Sequence, residues 1–69
     1  MKQYGEFLRS ERLIRKISQE KLAKEIGVSQ QAISLYENNI SEPPIGVCER
    51  IADFYGISID ELVGRCFRL

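Results

Sequence analysis

The segment 18–37 contains apolar residues at the spacing of an α-helix, with one interruption at Gly27. Those apolar residues are Leu22, Ala23, Ile26, Ala32, Ile33 and Tyr36. Two short helices joined by a tight turn account for the pattern. Ser18 and Ser29 each precede one apolar run, where a serine side chain can accept a hydrogen bond from the first turn of a helix. Gly27 suits the turn, because a residue without Cβ adopts the left-handed conformation at little cost.

The second of these helices has a polar outer side. It would begin at Ser29, bury Ile33 and Tyr36, and leave amide and hydroxyl groups facing outward. A helix-turn-helix can place its second helix in the major groove of DNA. In that groove Gln can bind adenine N6 and N7, Ser can donate or accept, and an apolar side chain can contact the thymine methyl group. The pattern therefore predicts that base edges are read by Gln30, Gln31, Ser34 and Leu35.

The sequence resembles the lambda-repressor-like helix-turn-helix domains of phage repressors, Cro proteins and many small bacterial regulators. The resemblance rests on the pattern SQxxLAxxxGVSxxxIxxxEN over residues 18–38, and on matches spread over almost the whole chain. The further matches are Leu8, Arg12, Ile17, Pro43, Ala52, Gly56, Ile57, Ser58 and Leu62. The resemblance implies an all-α fold of five helices over residues 1–69, one domain, with the helix-turn-helix at helices 2 and 3.

The resemblance also suggests an ion pair and a phosphate contact. It suggests Glu37 as the partner of Arg12. We favour a partly buried ion pair that fixes the first helix to the third over a DNA contact from Arg12. Gln19 follows the Ser18 cap at a helix N-terminus, where an anion is stabilised. We therefore expect Gln19 to hold a DNA phosphate; the alternative is a solvated surface residue.

Further phosphate contacts are expected at the ends of helices. Ser29 begins the second helix of the helix-turn-helix, which we call the recognition helix. Asn38 or Asn39 can end this helix and turn backbone amides outward. The family usually has Gly at the position of Asn39. Ser29 and Asn38 are therefore expected to contact phosphates. Arg15 and Lys16 end the first helix, where they either complement the negative end of its dipole or reach a phosphate, and both interpretations stay open.

The chain from Pro44 onward predicts two more helices. Pro44 replaces the capping Ser of many relatives at the start of the fourth helix. The fifth helix follows a capping box in which Ser58 and Glu61 satisfy each other's backbone donors. Phe54 is bulkier than is usual at its position and is a candidate exposed ring. The buried face of the fourth helix is expected to comprise Ile45, Cys48, Ile51, Ala52 and Tyr55.

These features favour a sequence-specific, double-stranded-DNA-binding transcriptional regulator, namely a repressor. One recognition helix covers too few base pairs for useful specificity, so a homodimer on two half-sites is implied. Candidate dimer contacts are Phe54, Ile59, Val63 and Phe67. Two alternatives use the same fold: a protein-interaction module without DNA binding, or an antitoxin that binds both operator DNA and an unknown protein partner.

The distribution of charge bears on that choice. The formal net charge is zero, which argues against indiscriminate attraction to nucleic acid and favours the interaction module. Up to residue 31 the chain has seven cationic and four acidic side chains, 7 − 4 = +3; the remainder has three and six, 3 − 6 = −3. The positive end therefore lies on the half that contains the predicted helix-turn-helix.

Composition excludes several other classes of protein. With 69 residues there is room for one domain near the lower size limit of a self-supporting core. The chain has no histidine, and Cys48 and Cys66 lack metal-binding spacing, so neither a metal, a cofactor nor acid–base catalysis by an enzyme is expected. Cys48 is expected in the core. The apolar runs are too short for a membrane span and the N-terminus lacks the apolar core of a secretory signal, which predicts a cytoplasmic protein.

Overall fold

The computed structural model describes the backbone of residues 4–66 and the side chains of residues 4–64. Over these residues the chain forms five α-helices and no strand. The helices are α1 (Tyr4–Ile14), α2 (Gln19–Ile26), α3 (Gln30–Glu37), α4 (Ile45–Tyr55) and α5 (Ile59–Cys66). The predicted all-α architecture, with two short helices around a turn near Gly27, is confirmed.

Serine residues form the N-caps of three of the five described helices. Ser18 Oγ accepts from the N–H of Lys21 at 3.0 Å, and Ser29 Oγ accepts from Ala32 at the same distance. The N–H of Glu61 donates to Ser58 Oγ, also at 3.0 Å. By contrast, α4 begins after Pro44 with no side-chain hydrogen bond at its first turn. The sequence predicts each of these starts, because an N-cap depends on residues only three positions apart.

Four helices are followed within two residues by a residue with left-handed backbone. Gly27 and Gly56 have φ values of 74° and 73°, and Lys16 and Asn39 have φ values of 58° and 61°. The last two carry a Cβ, which makes this conformation unfavourable. At Asn39 the side chain adds a contact, since Gly5 N–H donates to Asn39 Oδ1 at 3.0 Å. A Cβ at Gly5 would lie 2.8 Å from that oxygen, so the start of α1 and the end of α3 approach too closely for a larger residue.

One hydrophobic core receives residues from all five helices. The largest fully buried side chains in it are Leu22, Ile26, Ile33, Ile51 and Leu62. Cys48 is also buried in this core, as predicted, and burial raises the pKa of its thiol. The residues of α2 and α3 that lie outside this core include Glu20, Lys24, Gln30 and Gln31, which are all exposed.

The buried face of α4 differs from the expected one at its first turn. Ile45 was expected in the core, but 65% of it is exposed, and Val47 is buried together with the other four residues of the expected face. Pro43, in the loop before the helix, is buried, and the thiol of Cys48 donates to its carbonyl oxygen at 3.6 Å. The loop therefore fills the space beneath the start of α4, and Ile45 projects beyond it.

Helix length bears on the expected absence of a membrane span. The longest helices of the described residues, α1 and α4, each have 11 residues. A helix needs about 20 apolar residues to cross a bilayer. Within residues 4–66 no helix is long and apolar enough to do so.

Candidate nucleic-acid interface

The corner between α2 and α3 is fixed by backbone hydrogen bonds and by buried side chains. The N–H groups of Gly27 and Val28 both bind the carbonyl oxygen of Ala23, the second at 3.0 Å. Leu22 and Ile33, one from each helix, are only 2% and 1% exposed. These contacts hold α3 at a set angle to α2, as a helix-turn-helix requires.

The first turn of α3 presents polar groups to solvent. Ser29, Gln30 and Gln31 are exposed, whereas Ser34 and Leu35 on the next turn are half-buried. Ile33 and Tyr36, on the opposite side of the helix, are buried in the core as predicted. The two glutamines are therefore the most accessible of the predicted base-reading residues.

Asn38 interacts with α3 itself. Its side-chain Nδ2 donates to the carbonyl oxygen of Ser34 at 2.8 Å and lies 3.4 Å from Ser34 Oγ. Its backbone N–H also donates to the same carbonyl oxygen at 3.1 Å. Asn38 is exposed, and its side chain adds a second hydrogen bond to the Ser34 carbonyl oxygen that its own backbone N–H already binds.

Arg12 and Glu37 form a buried, bidentate ion pair. Arg12 Nε donates to Glu37 Oε2 at 2.7 Å and Arg12 Nη2 donates to Oε1 at 3.1 Å. A third nitrogen, Nη1, donates to the carbonyl oxygen of Ile17 at 2.8 Å. The hydrogen bonds with Glu37 raise the pKa of Arg12 above its ordinary value. The pair ties the last turn of α3 to α1, which is the structural arrangement that the resemblance suggests.

Gln19 also binds this ion pair, which the sequence did not predict. Its Nε2 donates to Glu37 Oε1 at 3.0 Å, and the residue is half-buried. The Glu37 carboxylate thus accepts hydrogen bonds from both Arg12 and Gln19. No sequence signal joins residues 18 positions apart in this way, because the contact depends on how α2 packs against α3.

Arg15 and Lys16 lie in different environments. Arg15 Nη1 donates to the backbone and side chain of Glu11 at 2.9 and 2.8 Å, and Nη2 donates to the carbonyl oxygen of Tyr55 at 2.6 Å. The guanidinium carbon also lies 4.3 Å from the centroid of the Tyr55 ring. Burial, and secondarily Glu37, raise the pKa of Tyr55. Arg15 therefore joins α1 to α4, while Lys16 is exposed.

The residues predicted to form the dimer contact are only partly exposed where the structure describes them. Phe54 is half-buried and its ring lies 5.7 Å from that of Tyr55, so it is not the exposed ring that the sequence suggested. Ile59 is packed partly against the core, and Val63 is half-buried. Phe67 lies outside the described residues. Large apolar side chains are exposed at positions the sequence did not single out for a surface role: Leu13, Ile14, Ile40 and Ile45.

Comparisons with known proteins agree with this geometry. Residues 8–62 match the model of the family described as helix-turn-helix. Over 56 residues the chain is 38% identical to the cryptic phage CTXphi transcriptional repressor RstR of Vibrio cholerae. The aligned region covers 81% of this chain and 50% of RstR. Over 51 residues it is 35% identical to the uncharacterized HTH-type transcriptional regulator MJ0272 of Methanocaldococcus jannaschii. That aligned region covers 74% of this chain and 77% of MJ0272. The chain thus spans half the length of RstR and about three quarters of MJ0272.

A solved structure shows the same fold. The P22 c2 repressor in complex with synthetic operator 9T matches with a TM-score of 0.82 and 34% sequence identity, over 90% of this chain and 94% of that one. The family model over residues 8–62 agrees with this structural match. The chain therefore belongs to the helix-turn-helix family.

Proposed function

We propose that this chain is a sequence-specific double-stranded-DNA-binding domain that represses transcription. The observation that carries the proposal is the exposure of Gln30 and Gln31 on the first turn of a helix whose opposite side is buried. Such a turn can enter the major groove and offer two amide groups to base edges. The names of RstR as a repressor and of the P22 c2 structure as an operator complex support this assignment.

Base reading and phosphate binding are divided among different residues. Gln30 and Gln31 read base edges first, and the half-buried Ser34 and Leu35 extend the same face. Phosphates are bound by groups around that face, namely Gln19, Ser29, Asn38 and Lys16. We leave Arg15 out of this set, because its guanidinium is bound to Glu11 and to the end of α4.

The proposed assembly is a homodimer in the cytoplasm, with residues 1–69 acting as one helix-turn-helix domain. One α3 contacts only a few base pairs, so two copies on half-sites about one helical turn apart are needed for useful specificity. Phe54, Ile59 and Val63 on α4 and α5, with Phe67 beyond the described residues, are the proposed contacts between copies.

Selection of bound fragments from a random duplex pool tests this function directly. We expect enrichment of a sequence with two related halves, because each copy of α3 reads one half-site. The matched control is a Gln30→Ala, Gln31→Ala double variant, which changes two exposed side chains and leaves the proposed phosphate-binding residues in place. Enrichment of the same sequence by parent and variant, or of none by the parent, would contradict the proposal.

A protein-interaction module is the second candidate, and the zero formal charge favours it. The two functions differ in how binding to a random duplex depends on salt. A DNA-binding protein releases counterions from the phosphates it neutralises, so its affinity falls steeply as salt increases. An interaction module would show no measurable binding even at low salt.

A further inference from the structure

A groove on the outer side of the helix-turn-helix contains two cations that the contacts proposed so far do not use. It lies between α2 and the start of α3, and the residues that line it include Ser18, Glu20, Lys21, Lys24 and Gln30. Gln30 is a proposed base reader, so the groove borders the surface that would face DNA. Two of its lining residues are lysines, which have no part in the base-reading or phosphate sets.

The two lysines differ in how far their charge is already balanced. Lys21 Nζ lies 3.0 Å from Glu25 Oε2, so Lys21 is paired within its own helix. Lys24 is exposed and forms no ion pair with any side chain of residues 4–64. Glu20 lines the same groove. Lys24 is therefore the cation in this groove that remains available to an anion from outside.

Two arginines near the motif are committed to the fold. Arg12 is bound to Glu37, and Arg15 is bound to Glu11 and to the end of α4. Because the formal charge of the chain is zero, attraction to DNA has to come from cations placed locally and not from the molecule as a whole. Lys24 meets that condition, since it shares a groove with Gln30.

We propose that this groove binds a backbone phosphate of DNA beside the base pairs that Gln30 reads, with Lys24 as the cation. Lys21 is a second cation whose attraction for the same strand is reduced by Glu25. An ammonium on a long flexible side chain binds phosphate as a point charge, and phosphate contacts set the register of a protein on the duplex. This inference rests on the proposed function and deepens it.

The first test removes the charge of Lys24. Binding to a short random-sequence duplex is measured as salt is raised from about 50 to 200 mM, for the parent and for Lys24→Gln. Loss of one phosphate contact should make the slope of log affinity against log salt shallower by about 0.9. The matched control is Arg50→Gln, which removes an exposed cation from the groove between α4 and α5 and should keep the parent slope.

The second test increases binding, so a misfolded variant cannot mimic it. Glu25→Gln releases Lys21 from its ion pair and should tighten binding to the random duplex, with a slope steeper by up to about 0.9. The control is Glu49→Gln, which makes the same change in net charge at an exposed position of the other groove. We expect little change in that control.

The outcomes separate the groove from the proposed function. If Lys24→Gln keeps the parent slope, or if Lys24→Gln and Arg50→Gln reduce it equally, the groove is not a phosphate site, although DNA binding stands. An equal gain from Glu25→Gln and Glu49→Gln would show an effect of net charge alone and would overturn the role of Lys21. A parent that binds no duplex at low salt overturns both the groove and the proposed function.

Discussion

The first and last turns of α3 differ in almost every contact they make. At the first turn Gln30 and Gln31 are exposed, and the hydrogen bond from the Ala32 N–H to the side chain of Ser29 is local. At the last turn Tyr36 and Glu37 are 8% and 7% exposed, and Glu37 binds groups from α1 and α2. One helix of eight residues thus has a free end and an anchored end.

Under the proposed function, this difference separates DNA recognition from folding within a single helix. Tertiary contacts that hold α3 in place are concentrated at Ile33, Tyr36 and Glu37, so the first turn is positioned without having its own side chains occupied. Substitutions at the first turn should then change DNA binding with little effect on stability. Substitutions at the last turn should do the reverse, and the following variants test that contrast.

The largest effect is expected from Glu37→Ala. Removing one partner of a buried pair leaves the Arg12 guanidinium without its carboxylate, which should lower the free energy of unfolding by about 3–5 kcal/mol. Denaturant titration measures this loss. The control is the double variant Arg12→Met, Glu37→Leu, which removes both charges and should recover most of the stability. A loss below about 1 kcal/mol in Glu37→Ala would mean that the pair does not anchor α3.

Ser29→Ala should have a smaller effect on stability and should also change DNA binding. Loss of the N-cap should reduce the free energy of unfolding by about 1 kcal/mol. It should also weaken DNA binding, because Ser29 lies beside the proposed base readers. Ser58→Ala is the matched control, since Ser58 begins α5 with the same 3.0 Å hydrogen bond away from the motif. Thermal unfolding should show equal losses of stability in the two variants. Duplex binding, measured under conditions where both variants are folded, should show a loss of affinity only for Ser29→Ala.

The smallest effects are expected at the two non-glycine residues with left-handed backbone. Lys16→Gly should raise the free energy of unfolding by up to about 1 kcal/mol, because it removes an unfavourable Cβ contact. Asn39→Gly should lower it by about 1 kcal/mol, because the buried Gly5 N–H loses its acceptor.

Thermal denaturation of these two variants provides the comparison. The same replacement is made at residues with similar φ values, so opposite signs would show that the Asn39 side chain, and not its backbone, stabilises the end of α3. A gain in stability from both replacements would contradict that role.

The sequence predicts the parts of this fold that depend on near neighbours. The caps at Ser18, Ser29 and Ser58 and the turn at Gly27 each involve residues within a few positions, so their spacing is visible in the chain. The exposed and buried sides of α3 follow from the helical period in the same way. These local features are enough to locate the helix-turn-helix and to name its first turn as the candidate site.

Other contacts arise only when the helices pack, and no spacing reveals them. The hydrogen bonds of Gln19 to Glu37, of Gly5 to Asn39 and of Arg15 to Tyr55 join residues 18, 34 and 40 positions apart. The exposure of Ile45 likewise depends on the buried loop before α4. The sequence therefore locates the candidate surface on α3. It does not reveal the hydrogen bonds that support that surface, nor the ion pairing that leaves Lys24 without an acidic partner among residues 4–64.

The most direct measurement compares Gln30→Ala with the parent on an operator recovered from the random pool and on a random duplex. We expect the variant to lose roughly 1–3 kcal/mol of binding free energy on the operator and almost none on the random duplex. Its unfolding free energy should stay within about 0.5 kcal/mol of the parent, because Gln30 is exposed. Equal losses on both duplexes, or no loss on the operator, would show that the free end of α3 does not read bases.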